Sequence, residues 1–268
     1  LVIFLISLLF KPVWLFDNQD LGKPGNDDLS YWLHSATIVY DLDLNYQNDY
    51  QVSDGFFNKD TNTPFHPPGA GYLSAPFVFL FSLIDSQDAD RLNPTGSYAY
   101  LGFFAASLFY FLTGMNLISK VAQKKKYNLS KLILFTGFIG TISHFVTTRF
   151  MMAHATEFFL CAMLCYKFET KENEYNWRNF SCLSFIYLLL SFTRPSTFIY
   201  SLCLLVVYSN SKDFKIKKLS LVFINSSIFL FLHILLSNYL YSEPTIFHNL
   251  RITQEQQGFT DVSLQYIF

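Results

Sequence analysis

Long uncharged stretches alternate along this chain with short basic ones. Residues 95–119 carry no Asp, Glu, Lys or Arg, and neither do residues 219–242. An apolar run of about 20 residues is long enough to cross a bilayer as a helix. On that criterion the pattern predicts an all-α, polytopic transmembrane bundle of about seven spans. They fall at about 1–16, 97–119, 131–148, 150–166, 179–193, 196–210 and 219–241. A further apolar segment, GAGYLSAPFVFLFSLI at 69–84, is expected to lie on the outer surface or to dip in and return. Pro67, Pro68 and Pro76 are expected to limit a continuous helix there.

Composition agrees with this picture. Hydrophobic residues make up 51% of the chain and charged residues 15%, against about 25% charged in an ordinary soluble domain. The net charge of −1 and the lack of any basic–aromatic repeat give no sign of a nucleic-acid partner. Cys161, Cys165, Cys182 and Cys203 lie in or beside apolar runs without a CxxC spacing, so neither a zinc site nor a disulfide framework is expected. The chain opens at Leu1 inside an apolar run and stops at Phe268, which suggests a fragment truncated at both ends.

The basic residues set the expected orientation. Lys120, Lys124, Lys125, Lys126 and Lys131 follow the second span. Lys167, Lys171 and Arg178 follow the fourth, and Lys212, Lys215, Lys217 and Lys218 follow the sixth. Lys and Arg collect in short cytoplasmic loops. A first external loop at about 17–96 and the start of a second at 242–268 are then extracytoplasmic.

The first external loop contains GNDDLSYWLHSATIVYDLDLNYQNDY, residues 25–50. Asn26 can cap a helix from Asp27 to about Val39, with Leu29, Trp32, Leu33, Ala36 and Tyr40 as its apolar stripe. This helix is expected to lie flat on the membrane. Asp27 and Asp28 fall in its first turn, where the helix dipole favours ionised carboxylates. Tyr31 lies four residues after Asp27 on the same face. Both acids are ordinary helix-start residues, or one is a base held at the membrane surface. Asp41, Asp43 and Asp49 read as structural, since their spacing does not match an EF-hand.

Other polar groups fall at the predicted external rim. His66 precedes two prolines and is expected to be extended. Its role is a metal ligand, a phosphate contact or neither. Arg149 sits at a turn between spans. His154 and Glu157 are three apart and share a helix face just inside the membrane, where ionisable groups are costly. They pair with each other or hold a divalent cation. Arg194 precedes Pro195 at a tight turn. Its guanidinium suits phosphate binding, or it snorkels to head groups.

Several of these features together resemble the GT-C integral-membrane glycosyltransferases, which include protein O-mannosyltransferases and bacterial lipid A aminoarabinose transferases. The family places an Asp-acid-x-x-Tyr element directly after the first span, similar to Asp27-Asp28-Leu29-Ser30-Tyr31. A second surface helix begins from a His/Lys-Pro-Pro motif, similar to HPPGAGYL. An Arg-Leu often precedes the second span, as in DADRLNP. MMAHATEFF and TRPST look like the external turns of bacterial members. Asp28 stands where many relatives have Glu, and Gly69 where Leu is usual.

The resemblance implies an inverting glycosyltransferase in the bacterial inner membrane, with its site on the extracytoplasmic side. The implied donor is a polyprenyl-phosphate sugar and the acceptor a lipid, glycan or protein hydroxyl. Asp27 would be the general base and Asp28 would orient the acceptor or hold the helix. Arg194, with Arg149 second, would face the leaving phosphate. Tyr31, His66, His154 and Glu157 would bind substrate, and a divalent metal ion is the one cofactor the pattern would admit. Asp27, Arg194 and the His154/Glu157 pair should then converge. The competing classes are a transporter or lipid flippase, whose polar groups should line a mid-membrane path, and a non-catalytic membrane scaffold.

Overall fold

The computed structural model describes residues 26–46, 48–49, 57–58, 63–64, 66–85, 94–126, 141–147, 149–170, 177–198 and 216–241. The predicted span at 1–16, the basic loops at 127–140, 171–176 and 211–215, the DADRLNP motif up to Asn93 and the segment 242–268 lie outside the described residues. So do most of the predicted spans at 131–148 and 196–210.

The described chain is mostly helical. Its helices are α1 (Asn26–Ala36), α2 (Gly69–Ser82), α3 (Tyr98–Lys124), α4 (Thr141–Thr147), α5 (His154–Thr170), α6 (Trp177–Thr193) and α7 (Ile216–Tyr241). A two-residue hairpin, β1 (Phe57–Asn58) and β2 (Thr63–Pro64), pairs antiparallel between α1 and α2. Among the described helices, α3 alone is both long and apolar enough to cross a membrane by itself.

α1 departs from the expected surface helix. Its stripe of Leu29, Trp32, Leu33 and Ala36 is buried in protein. Trp32 meets Tyr100 and Phe103 of α3 at ring distances of 6.4 and 6.5 Å. The other side of the helix is buried too, through Asp28, Ser30, Tyr31, His34 and Ser35. An all-round burial of this kind marks a core helix, not an interfacial one. α1 continues into a π-helical turn, Thr37–Asp41, and stops at Leu42 in the left-handed region (φ 58°). The acids beyond it are tied up locally. Asp49 accepts from the Thr37 hydroxyl, Asp41 from Asn48 Nδ2 at 3.0 Å and Asp43 from the Asn45 amide at 2.9 Å.

α2 also differs from expectation. It runs unbroken through Pro76, whose ring sits on the exposed side. There it removes one internal donor without disturbing the packed face. That face is small: Gly69, Ala70, Gly71, Ser74 and Ala75 are buried. Val78 lies against Gly102, and the Leu73 carbonyl accepts from the Tyr110 hydroxyl at 2.7 Å. α2 therefore runs antiparallel along the first half of α3 and is not laid across its end. α3 is capped twice. Ser97 Oγ accepts from the Tyr100 amide at 3.1 Å, and the Asp85 carboxylate accepts from the Tyr98 and Ala99 amides at 2.8 and 2.9 Å.

α5 runs parallel to α3. Gly114 faces Phe158, and at the far end Lys124 Nζ donates to the Glu169 carbonyl at 2.6 Å. Leu160 and Leu164 of α5 form a core with Ile186, Tyr187 and Leu190 of α6. α7 closes on α6 through His233 and Ser191, with Nδ1 2.9 Å from Oγ and Phe192 stacked on the imidazole. Its described polarity is inverted relative to a helix packed in water. His233 and Ser237 face inward and are buried, while Ile228, Phe231, Leu235 and Tyr239 are about half exposed or more. Apolar exposure on this scale marks a surface that meets a membrane or a protein partner.

Candidate functional site

Asp27 and Asp28 are neighbours, and an α-helix turns about 100° per residue, so they face different partners. Asp27 is half exposed and Asp28 is buried. Asp28 accepts from Arg149 Nε and Nη2 at 3.1 and 2.8 Å, both at Oδ2. This pair ties the start of α1 to the turn before α5. Asp28 and Arg149, both expected at the site, are thus engaged with each other.

Asp27 belongs to a second group centred on His66. The residue ahead of a proline is held extended, which exposes the backbone of His66 on both sides. α1 engages it at four points. Asp27 Oδ1 lies 3.1 Å from His66 Nε2, and Ser30 Oγ accepts from the His66 amide at 2.9 Å. The Tyr31 ring stacks on the imidazole, with centroids 4.9 Å apart and planes within 15°. His34 Nε2 donates to the His66 carbonyl at 2.8 Å. The spacing i, i+3, i+4, i+7 is one face of the helix. The four contacts therefore come from one continuous strip of α1.

His34 is fully buried. Burial outweighs the bond to the His66 carbonyl and pushes its pKa down to about 3, so the ring is neutral. A carbonyl only accepts, so Nε2 carries the proton and Nδ1 accepts from Tyr46 Oη at 2.7 Å. Tyr72 Oη follows at 3.2 Å from Tyr46 Oη.

The third group joins α5 to the end of α6. Arg194 sits between Thr193 and a last helical turn begun by Pro195. Its Nη1 donates to Glu157 Oε2 at 3.0 Å and to His154 Nδ1 at 2.9 Å. Thr197 donates to the other Glu157 oxygen. Among the described residues, Nε and Nη2 of Arg194 donate to nothing, and the side chain is 43% exposed. The Phe145 ring packs against His154 at 3.9 Å.

Two glycines bring the groups together. A Cβ on Gly71 would fall 2.5 Å from His34 Cβ and from the Tyr31 carbonyl oxygen, and one on Gly69 would fall 2.5 Å from the Thr193 amide. α2 thus touches α1 and α6 within a single turn. Tyr31 stacks on His66, the partner of the acid, and lies within electrostatic reach of the cation. Burial raises its pKa above the ordinary tyrosine value. Arg194 opposes that rise, while Asp27, Glu157 and Asp28 add to it, in that order. One phenol feels charges from α1, α5 and the end of α6.

No protein-family model, curated protein or solved structure matches this chain. The site therefore rests on its own geometry. Among the described residues no group of three or more His, Cys, Asp or Glu is placed to hold a metal ion. Asp27–His66 and His154–Glu157 each bring two donors. Sequence reasoning passed over Ser30, His34, Tyr46, Tyr72 and Thr197. His34 was detectable, since it extends the Asp27–Tyr31 face by one more turn. Thr197 and Tyr72 carry no local signal, because their partners come from other helices.

Proposed function

We propose that this chain forms part of a multi-pass membrane glycosyltransferase, bound in the bacterial plasma membrane with its site on the extracytoplasmic side. The carrying observation is the packing of α2: Gly71 lies against Tyr31 and His34 of the helix that bears Asp27, and Gly69 lies against Thr193 beside Arg194. An acid open to an acceptor and a cation open to an anion thus flank one turn of α2. The inverted polarity of α7 and the uncharged length of α3 support a bilayer setting, and the basic loops support the sidedness.

The chemistry asks little of the chain. The acceptor hydroxyl gives its proton to Asp27 as its oxygen attacks the anomeric carbon of the donor sugar. The bond from that carbon to the phosphate oxygen breaks, and its electron pair leaves on the lipid phosphate, with inversion. That leaving group is a stable anion and needs no acid, only the positive charge that Arg194 offers through Nε and Nη2. Glu157, His154 and Thr197 hold the guanidinium. Tyr31 and His66 form an aromatic wall beside Asp27.

The test uses purified protein in proteoliposomes with a radiolabelled polyprenyl-phosphate sugar and extracted envelope acceptors. Asp27→Asn should abolish transfer while the protein stays folded. Wild-type transfer by that variant would remove Asp27 from the reaction and this reading with it.

A further inference from the structure

Resting on that reading, we propose that His34 is a positioning residue for Asp27 and acts through His66. The strip Asp27, Ser30, Tyr31 and His34 fixes the side-chain nitrogen, the amide, the ring face and the carbonyl of a single residue. The Asp27 contact lies toward solvent, whereas Ser30, Tyr31 and His34 are buried. The carbonyl contact is set apart because its donor is itself held by a further buried group, Tyr46.

The donor is also fixed in identity. His34 Nε2 faces a carbonyl and Nδ1 faces Tyr46, so the neutral ring has one tautomer open to it. Tyr46 comes from the chain after the π-turn and Tyr72 from α2. The relay therefore gathers three segments behind one backbone oxygen. With that oxygen held and Pro67 stiffening the next bond, the imidazole cannot slide along Tyr31. Its Nε2 holds Oδ1 of Asp27, and the half-exposed carboxylate keeps Oδ2 for an incoming hydroxyl. The small shift that a loose His66 would allow is of the size that costs about 10²-fold in rate when reacting groups are misplaced.

Two readouts separate this role from general support of the fold. The first is the rate at which diethyl pyrocarbonate modifies His66 in the reconstituted protein, followed on its peptide by mass spectrometry. His34→Leu and the milder Tyr46→Phe should raise that rate several-fold. His34→Gln, whose amide can still donate to the carbonyl, should leave it near wild type. Asp27→Asn should raise it as well, with little added by His34→Leu on top. The second is sugar transfer, where His34→Leu should lower kcat between about tenfold and a hundredfold with KM unchanged, and His34→Gln should restore most of it. Wild-type modification of His66 in folded His34→Leu or Tyr46→Phe protein overturns the proposal. So does a His34→Gln variant as impaired as His34→Leu. If the modification pattern holds while wild-type protein transfers no sugar, the positioning of Asp27 stands and the enzymatic reading falls.

Discussion

Arg149 and Asp28 are joined by two hydrogen bonds to one carboxylate oxygen, across 121 residues of sequence. The adjacent Asp27 is half exposed and, among the described residues, its side chain bonds to His66. One acid is buried in an ion pair and the other faces solvent.

Variants should separate those duties. Removing one partner of a buried ion pair costs about 3–5 kcal/mol. Arg149 is 36% exposed, so solvent screening lowers the expected cost of Arg149→Met to about 2 kcal/mol. Arg194→Gln should cost under about 1 kcal/mol, since its guanidinium is more exposed still, and should suppress sugar transfer. Thermal unfolding in detergent, read beside the transfer assay, checks both. Equal destabilisation by the two variants would contradict the division.

Gly71→Ala and Gly69→Ala should each destabilise the protein by about 1–3 kcal/mol, because the new methyl meets backbone or a Cβ with no room to give. Gly96→Ala is the informative control. Gly96 has φ +90° and open space around it, so its cost is backbone strain alone, about 1–2 kcal/mol. The three unfolding midpoints, with transfer activity alongside, distinguish crowding from strain. Only the first two should lose activity beyond their loss of stability.

Acid should act through His34. The unfolded chain protonates this ring near its ordinary 6.5, whereas the folded chain does so only near about 3. Between those values the unfolded state binds the extra proton, so stability falls as pH drops. The His34 share of the slope is about 1.4 kcal/mol per pH unit. Above about pH 6.5 the penalty is absent. Subtracting the pH–stability curve of His34→Gln from that of wild type should isolate a difference confined to the acid side.

Asp85→Ala should cost about 1 kcal/mol by freeing two amides at the start of α3. The double cap predicts more. Adding Ser97→Ala should cost more than the sum of the single changes, since each cap can partly cover for the other. Hydrogen exchange at the Tyr98–Tyr100 amides reports the fraying directly.

A single cysteine at Phe231 or Leu235 should resist a membrane-impermeant maleimide and react with a lipid-soluble one. Rapid reaction with the impermeant reagent in intact vesicles would place α7 in water and undo the bilayer setting.

Much of this was readable beforehand. The helix beginning at the twin aspartates follows from its apolar spacing, and the shared face of His154 and Glu157 follows from an i, i+3 interval. The union of that pair with Arg194 was expected only from the family resemblance; no local spacing carries it, because it depends on how α5 packs on α6. Pro76 suggested a limit to α2, but a proline on the exposed side of a helix costs one hydrogen bond and no packing. The apolar stripe of α1 suggested a lipid-facing helix. Periodicity reports that a face is buried and not what buries it, and here the cover is Tyr100 and Phe103 of α3.

Gly69 and Gly71 have a further consequence. α2 acts as a spacer, with one side against the segment bearing Asp27 and the other against the corner bearing Arg194. Two hydrogens, where side chains would otherwise project, set the thickness of that spacer. Any change in the gap between those two corners should therefore begin with the shims of α2 and leave the charged groups as they are.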